Sequence, residues 1–185
     1  KKSRDLDIII DIDNELLINI VNESNIPFSI NRHQGIKLQL ENIEVDLWSI
    51  SNNWAFKNNL VKLNEKDKLL SIAKGCFYNY DSLVINLMNF NYNLQYYSDF
   101  INNKVLDILQ KKPIYKTLNP TIEANILRAL YLRNKLGVTF TQNTVYYLIQ
   151  AIKDIESWHT NDFDRLMLIK NNYKKYNDFS ATQLY

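Results

Sequence analysis

Two hydrophobic periodicities divide this chain. Leu6, Ile8, Ile9, Ile10 and Ile12 make a nearly continuous β-branched run, which predicts a buried strand over 5–12. Asp13 then predicts a helix N-cap, with Leu16, Leu17, Ile20 and Val21 following at helical spacing and Ile26-Pro27 closing the region. Phe28 to Arg32 reads as a second strand. Ile36, Leu38 and Leu40 alternate with Lys37 and Gln39, Glu41 to Glu44 make a short turn, and Val45 and Leu47 alternate with Asp46 and Trp48 on the return. That pattern is a hairpin with Asp46 in mid-strand. Gly35 stands just before it, where backbone freedom or a close approach is expected.

Further on, Trp54-Ala55-Phe56-Lys57 supplies aromatics for a core or for a lid over a pocket. Lys68 to Lys74 is a short helical or linking segment. Leu83, Val84, Ile85 and Leu87 predict a strand, Asn91-Tyr92-Asn93 a turn and Leu94 to Tyr97 the return, a second hairpin. Ile101 to Leu109 predicts a short helix. From Pro113 the period changes from 2 to 3.6. Asn119 caps, Pro120 takes the first helical position, Ile122, Ile126, Leu127, Leu130 and Leu136 form a stripe, and Gly137 stops the helix. Thr141 caps a helix through Val145, Leu148, Ile149 and Ile152, and Asn161 caps a last one holding Phe163, Leu166 and Met167. The expected class is α+β: a mixed-sheet domain over 1–112 followed by a helical segment over 113–185.

Composition changes this picture little. With 185 residues, 46% hydrophobic and 23% charged, the chain can bury a core, and a net charge of +2 is too mild to argue for nucleic acid by itself. Three Gly and three Pro imply long regular elements. No apolar run is long enough for a membrane span, and Asp5 and Asp7 interrupt the basic start before a signal-peptide core can form. The single cysteine, Cys76, excludes an intrachain disulfide and points to the cytoplasm. Cys76, His33 and His159 have no partners at zinc-ligand spacing, and no P-loop or dinucleotide glycine pattern is present.

The candidate chemistry lies in the acids. Asp-x-Asp occurs three times, as Asp5/Asp7, Asp11/Asp13 and Asp162/Asp164. Asp13 is better used as a cap, and Asp11 as a solvent-facing strand end. Asp5 and Asp7 project from one face of a strand. Asp46, between Val45 and Leu47, is costly to bury without a salt bridge or a metal. If the two strands lie side by side, three carboxylates converge at one sheet edge, and hard oxygen donors so crowded suit Mg²⁺ (or Mn²⁺) and, through it, phosphates. Lys57 and Lys62 are at hand for phosphate or for solvent.

Four stretches, in order, resemble the nucleotidyltransferase superfamily, in particular the head domain of poly(A) polymerases and tRNA nucleotidyltransferases. They are Arg4-Asp5-Leu6-Asp7-Ile8; Gly35-Ile36-Lys37-Leu38 through Glu44-Val45-Asp46-Leu47-Trp48; Phe77 through Asp81-Ser82-Leu83; and Asn119-Pro120 through Ile126-Leu127-Arg128-Ala129-Leu130, with Lys135-Leu136-Gly137-Val138. The resemblance covers roughly residues 4 to 150. It implies Asp5, Asp7 and Asp46 as catalytic metal ligands, with Arg128, at a family arginine position, and Arg133, one turn on, as contacts to nucleotide or RNA, or else as caps on sheet-edge charge; Lys57, read from the residues alone, is the candidate phosphate contact. Only four residues precede Asp5, so the family's glycine-rich phosphate turn, and with it the N-terminal part of the head, is expected to lie outside this sequence. Lys74-Gly75 stands where paired arginines are expected, and the acidic base-reading motif of tRNA-end repair is not recognisable, so CCA addition is not expected.

The resemblance implies a Mg²⁺-dependent transfer of a nucleotide from an NTP to a hydroxyl on RNA, a protein side chain or a small molecule. Small stand-alone members of the superfamily include toxins and defence proteins. The alternative is a binding or regulatory protein that keeps the fold without the chemistry. In the tail, Lys170, Lys174 and Lys175 interleave with Tyr173 and Tyr176, a combination that can contact RNA, though a solvated last helix with ordinary lysines is the favoured expectation.

Overall fold

The computed structural model describes residues 5–31, 33–41, 43–110, 121–158, 162–173 and 176. The chain forms two compact units, Lys1–Leu63 and Asn64–Tyr185. The boundary expected at 112/113 lies outside the described residues, as do Asn119, Pro120, His159 and Asn161.

The first unit is a four-stranded mixed sheet. Strand β1 (Asp5–Ile10) leads into helix α1 (Asn14–Glu23), then β2 (Phe28–Ile30), β3 (Ile36–Leu40) and β4 (Ile43–Ser49), and the spatial order is β1-β4-β3-β2. Strands β2, β3 and β4 are antiparallel neighbours, whereas β1 runs parallel to β4. Asp13 caps α1 as expected, its Oδ1 accepting the Leu16 N–H at 2.8 Å. Alternation sends Val45, Leu47, Ile36, Leu38, Ile8, Ile10 and Phe28 to one face, where Leu17 and Val21 of α1 cover them. Asp7, Lys37, Gln39, Glu44 and Asp46 are therefore left on the other face. After β4 a 3-10 turn, Ile50–Asn52, and the one-turn helix α2 (Trp54–Lys57) follow.

The second unit opens with α3 (Lys68–Gly75), capped by Asp67. The second hairpin exists but is much shorter than expected: β5 (Val84–Ile85) pairs with β6 (Tyr92–Asn93), so Tyr92-Asn93 is strand rather than turn. Leu94 to Tyr97 does not return as a strand but runs into α4 (Tyr97–Asn103). The helix expected over Ile101 to Leu109 is instead the end of α4 followed by β7 (Val105–Leu106). Long-range bonds override the local pattern there: Asn79 N–H donates to Asp107 O at 2.9 Å, Leu109 N–H donates to Phe77 O at 2.8 Å, and the buried Asn79 amide reaches Val105 O at 2.9 Å. Helix α5 (Ile122–Leu136) is capped by Thr121, two positions after the expected cap, and stops at Gly137, whose φ of 66° needs glycine's freedom. Strand β8 (Thr139–Phe140) pairs parallel with β7, and α6 (Gln142–Trp158) and α7 (Asp162–Asn171) complete the unit. Thr141 Oγ1 accepts the Thr144 N–H at 3.2 Å, the expected cap of α6. Among the described residues no helix is long and apolar enough to cross a membrane.

Candidate active site

The register of β1 against β4 decides where the acids meet. Leu6 is the Cα partner of Val45, Ile8 of Leu47, and Asp7 of Asp46; Asp5 is opposite Glu44. In-register neighbours share a sheet face, so Asp7 and Asp46 lie side by side on the face opposite α1, on strands about 4.8 Å apart. Glu44, two residues before Asp46 on β4, joins the row. Strand β1 is the sheet's edge in the described residues, and Asp7 is exposed there. The Asp46 side chain keeps only 14% of its surface. Glu44 was expected in the turn; because β4 begins at Ile43, it is a strand residue facing with the aspartates.

Lys37 on β3 completes the row. It is the register partner of Asp46, its Nζ donates to Glu44 Oε1, and it stands 3.9 Å from Asp46 Oδ1. Across three strands the order is thus Asp7, Asp46, Lys37. Two acids and a base on adjacent strands offset one another's charge, and the ion pair keeps the half-buried Asp46 from being an isolated buried charge.

At the far end of the same face Trp48 lies over Gly35. A Cβ on Gly35 would stand 2.5 and 2.6 Å from the ring's Cη2 and Cζ3. The glycine is required by the close approach of the indole. The 31–35 turn is held by Asn31, whose Oδ1 accepts the N–H groups of His33 (2.8 Å) and Gly35 (3.0 Å). Gln34 in this turn receives Asn52 Nδ2 at 3.2 Å and Lys57 Nζ at 3.4 Å. Lys57 is therefore in the same unit as the acids and exposed, tethered to the turn that precedes β3.

Arg128 and Arg133 belong to the second unit. Arg128 pairs through Nη2 with Asp81 and lies 5.8 Å from the centroid of the Tyr80 ring. Two of the four stretches behind the resemblance are thereby joined by one ion pair. Arg133, in the last turn of α5, stacks 5.5 Å from the Phe140 ring, where its charge also complements the helix C-terminus. Nearby, burial pushes the phenol of Tyr78 well above its ordinary range, and its OH donates to Asn125 O at 3.0 Å. Of the residues expected in an RNA-binding tail, Lys170 and Tyr176 are buried, Tyr176 edge-on to Tyr131 with centroids 5.6 Å apart, and Tyr173 is exposed. Lys174 and Lys175 lie outside the described residues.

Among the described residues no group of three or more His, Cys, Asp or Glu side chains is arranged to hold a metal, a statement that leaves out the Asp5 side chain. The chemistry of the donor set nonetheless fits a hard divalent ion: adjacent carboxylates, one solvent-facing, with no competing soft ligand in the row. The sequence did not single out Lys37 and Glu44. Their signal was present in the alternation of β3 and β4, but which strands pair is not encoded in alternation.

No family model matches the chain, and no curated protein does. Solved structures do. A tRNA-processing enzyme with CTP aligns over 97% of this chain and 46% of its own, with 15% identity and a TM-score of 0.58. A tRNA nucleotidyltransferase complexed with a primer tRNA and an incoming ATP analog aligns over 93% and 48%, at 14% identity and a TM-score of 0.58. A CCA-adding enzyme from Thermotoga maritima, complexed with tRNA, aligns over 97% and 40%, at 14% identity and a TM-score of 0.60. At such identities the likeness is one of fold: the chain has a nucleotidyltransferase-like α+β fold. It spans less than half the length of these enzymes.

Proposed function

We propose that this chain carries the catalytic sheet of a metal-dependent nucleotidyltransferase, which moves a nucleotide from an NTP to a hydroxyl acceptor, with the end of an RNA as the favoured acceptor. The observation that carries the reading is the in-register pairing of Asp7 with Asp46 on neighbouring parallel strands. In the reaction the acceptor oxygen bonds to the α-phosphorus, the bond to the bridging oxygen breaks, and pyrophosphate leaves. Asp7 and Asp46, with Asp5, would hold a divalent ion, which would supply neutralisation of the triphosphate and a more acidic acceptor hydroxyl. The chain's own contribution is positioning: two hydrogen-bonded strands fix the carboxylates, and the helix-covered opposite face keeps the sheet rigid. Lys57 is the candidate phosphate contact in this unit. Arg128 and Arg133 are candidates in the other, Arg128 already engaged by Asp81. The nucleotide and RNA partners named for the similar structures support this choice of substrates.

The test is transfer from labelled NTP to RNA with Mg²⁺ or Mn²⁺, comparing the parent with Asp7→Asn and Asp46→Asn. Each variant is expected to lose at least a hundredfold in rate, the scale on which single groups that stabilise transition-state charge act. A variant as active as its parent removes the mechanism. Arg128's engagement favours a second reading, a nucleotidyltransferase-fold binding or regulatory protein. It predicts RNA or NTP binding that is indifferent to metal and to both substitutions, with no transfer.

A further inference from the structure

We infer that Lys37 is a built-in counter-cation of the acidic row, setting how tightly the row takes a divalent ion and holding the row together without one. The inference rests on the reading of Asp7 and Asp46 as metal ligands and adds a residue to it. Three observations support it. Lys37 is the Cα register partner of Asp46, so the two side chains leave the sheet on the same face. Its ammonium donates to the Glu44 carboxylate and stands 3.9 Å from Asp46 Oδ1, bridging the two β4 acids. Gln39, the next residue of β3 on that face, turns away, its Nε2 donating to the carbonyl oxygens of Glu41 (3.2 Å) and Ile43 (3.4 Å). The bridging of Glu44 and Asp46 from β3 is thus made by a charged group where an amide was also at hand.

The consequence follows from charge alone. Asp7, Asp46 and Glu44 repel one another when no cation lies among them, and Lys37 offsets part of that repulsion. The same positive charge repels an incoming divalent ion, so affinity for the ion is lower than the same carboxylates would give without it. Replacing Lys37 by a neutral side chain of similar length therefore moves two quantities in opposite directions. Stability without metal falls, and affinity for metal rises. A residue that merely shaped the site would, on removal, lower both.

The experiment uses the full chain, stripped of metal, with Mn²⁺ as the probe. Free Mn²⁺ is read by electron paramagnetic resonance during titration, and thermal unfolding is followed with and without Mn²⁺. Lys37→Met is expected to bind Mn²⁺ roughly three- to tenfold more tightly than the parent, given partial solvent screening. Its metal-free unfolding midpoint falls, and the gap closes as Mn²⁺ saturates. Lys37→Arg, which keeps the charge, behaves as the parent. Lys37→Met combined with Glu44→Gln, which removes one charge of each sign, regains metal-free stability. Unchanged or weaker Mn²⁺ binding by Lys37→Met overturns the inference, as does failure of both Lys37→Met and the double variant to fold at any Mn²⁺ concentration. Asp7→Asn separates the two levels. If Asp7→Asn loses Mn²⁺ while Lys37→Met matches the parent, only the role of Lys37 falls. If the parent and Asp7→Asn bind Mn²⁺ equally or not at all, the metal reading falls and takes this inference with it.

Discussion

Gly35 has no room for a side chain. A Cβ there would meet the Trp48 ring at 2.5 Å and Asn31 Nδ2 at 2.7 Å, and Asn31 cannot swing aside without giving up the two N–H groups it caps. Gly35→Ala is expected to cost about 1–3 kcal/mol of stability by overpacking, measured by urea unfolding. Trp48→Leu in that background is expected to restore part of the loss, because it removes the opposing ring. The sequence marked Gly35 as a special backbone position without saying which neighbour made it so, since Trp48 lies thirteen positions away and meets it only through the β3–β4 pairing. Asp7 and Asp46 were legible in the same partial way. Alternation gave each a face and strand order made them neighbours.

At the scale of elements, local signals were sufficient where the element was long and covered on one face. Strands β1, β3 and β4 and helix α1 follow their pattern because every second or every third and fourth residue is claimed by one core. Asp13→Ala is expected to cost about 1 kcal/mol by loss of the α1 cap, while leaving Mn²⁺ affinity unchanged, which separates its capping role from that of the aspartates on β1. Residues 83–109 misled because two-residue strands hold too few positions to define a period, and their placement depends on Asn79 and Phe77 bonding to residues some thirty positions on. In α5, burial pulls the Glu123 carboxyl upward, but hydrogen bonds from Arg165, its own backbone N–H and Thr121 outweigh this and hold it below its ordinary value. A carboxyl depressed in the folded state adds stability that is fully present above its unfolded value and is lost as pH falls through the folded one. Unfolding midpoints measured between about pH 6 and pH 3 should therefore decline less steeply in Glu123→Gln than in the parent, from a lower starting point.

At the scale of the whole molecule, each unit has its own core, and the candidate residues are divided between them: Asp5, Asp7, Asp46 and Lys57 in the first, Arg128 and Arg133 in the second. The tail of the second unit shows how tertiary packing redirects a surface-like sequence. Lys170 and Tyr176 have the composition of an RNA contact, yet both are buried, and Tyr173 and Tyr176 rings lie 5.6 Å apart. Lys170→Ala is expected to lower the unfolding midpoint, since it empties a buried position, and to leave the affinity for single-stranded RNA and its salt dependence where they were; a filter-binding titration at two salt concentrations checks this.

The sequence by itself determined the α+β class, the faces of the long strands, the caps at Asp13 and Thr141, the stop at Gly137 and the acidic residue types, because each of these follows from a residue and its near neighbours. The tertiary structure alone decided that β1 runs parallel to β4 in the register that sets Asp7 beside Asp46, that Lys37 joins them, and that Arg128 is held by Asp81. Pairing partners and register are fixed by the burial of a shared face and by backbone hydrogen bonds between segments distant along the chain, and a periodic pattern carries the face but not the neighbour.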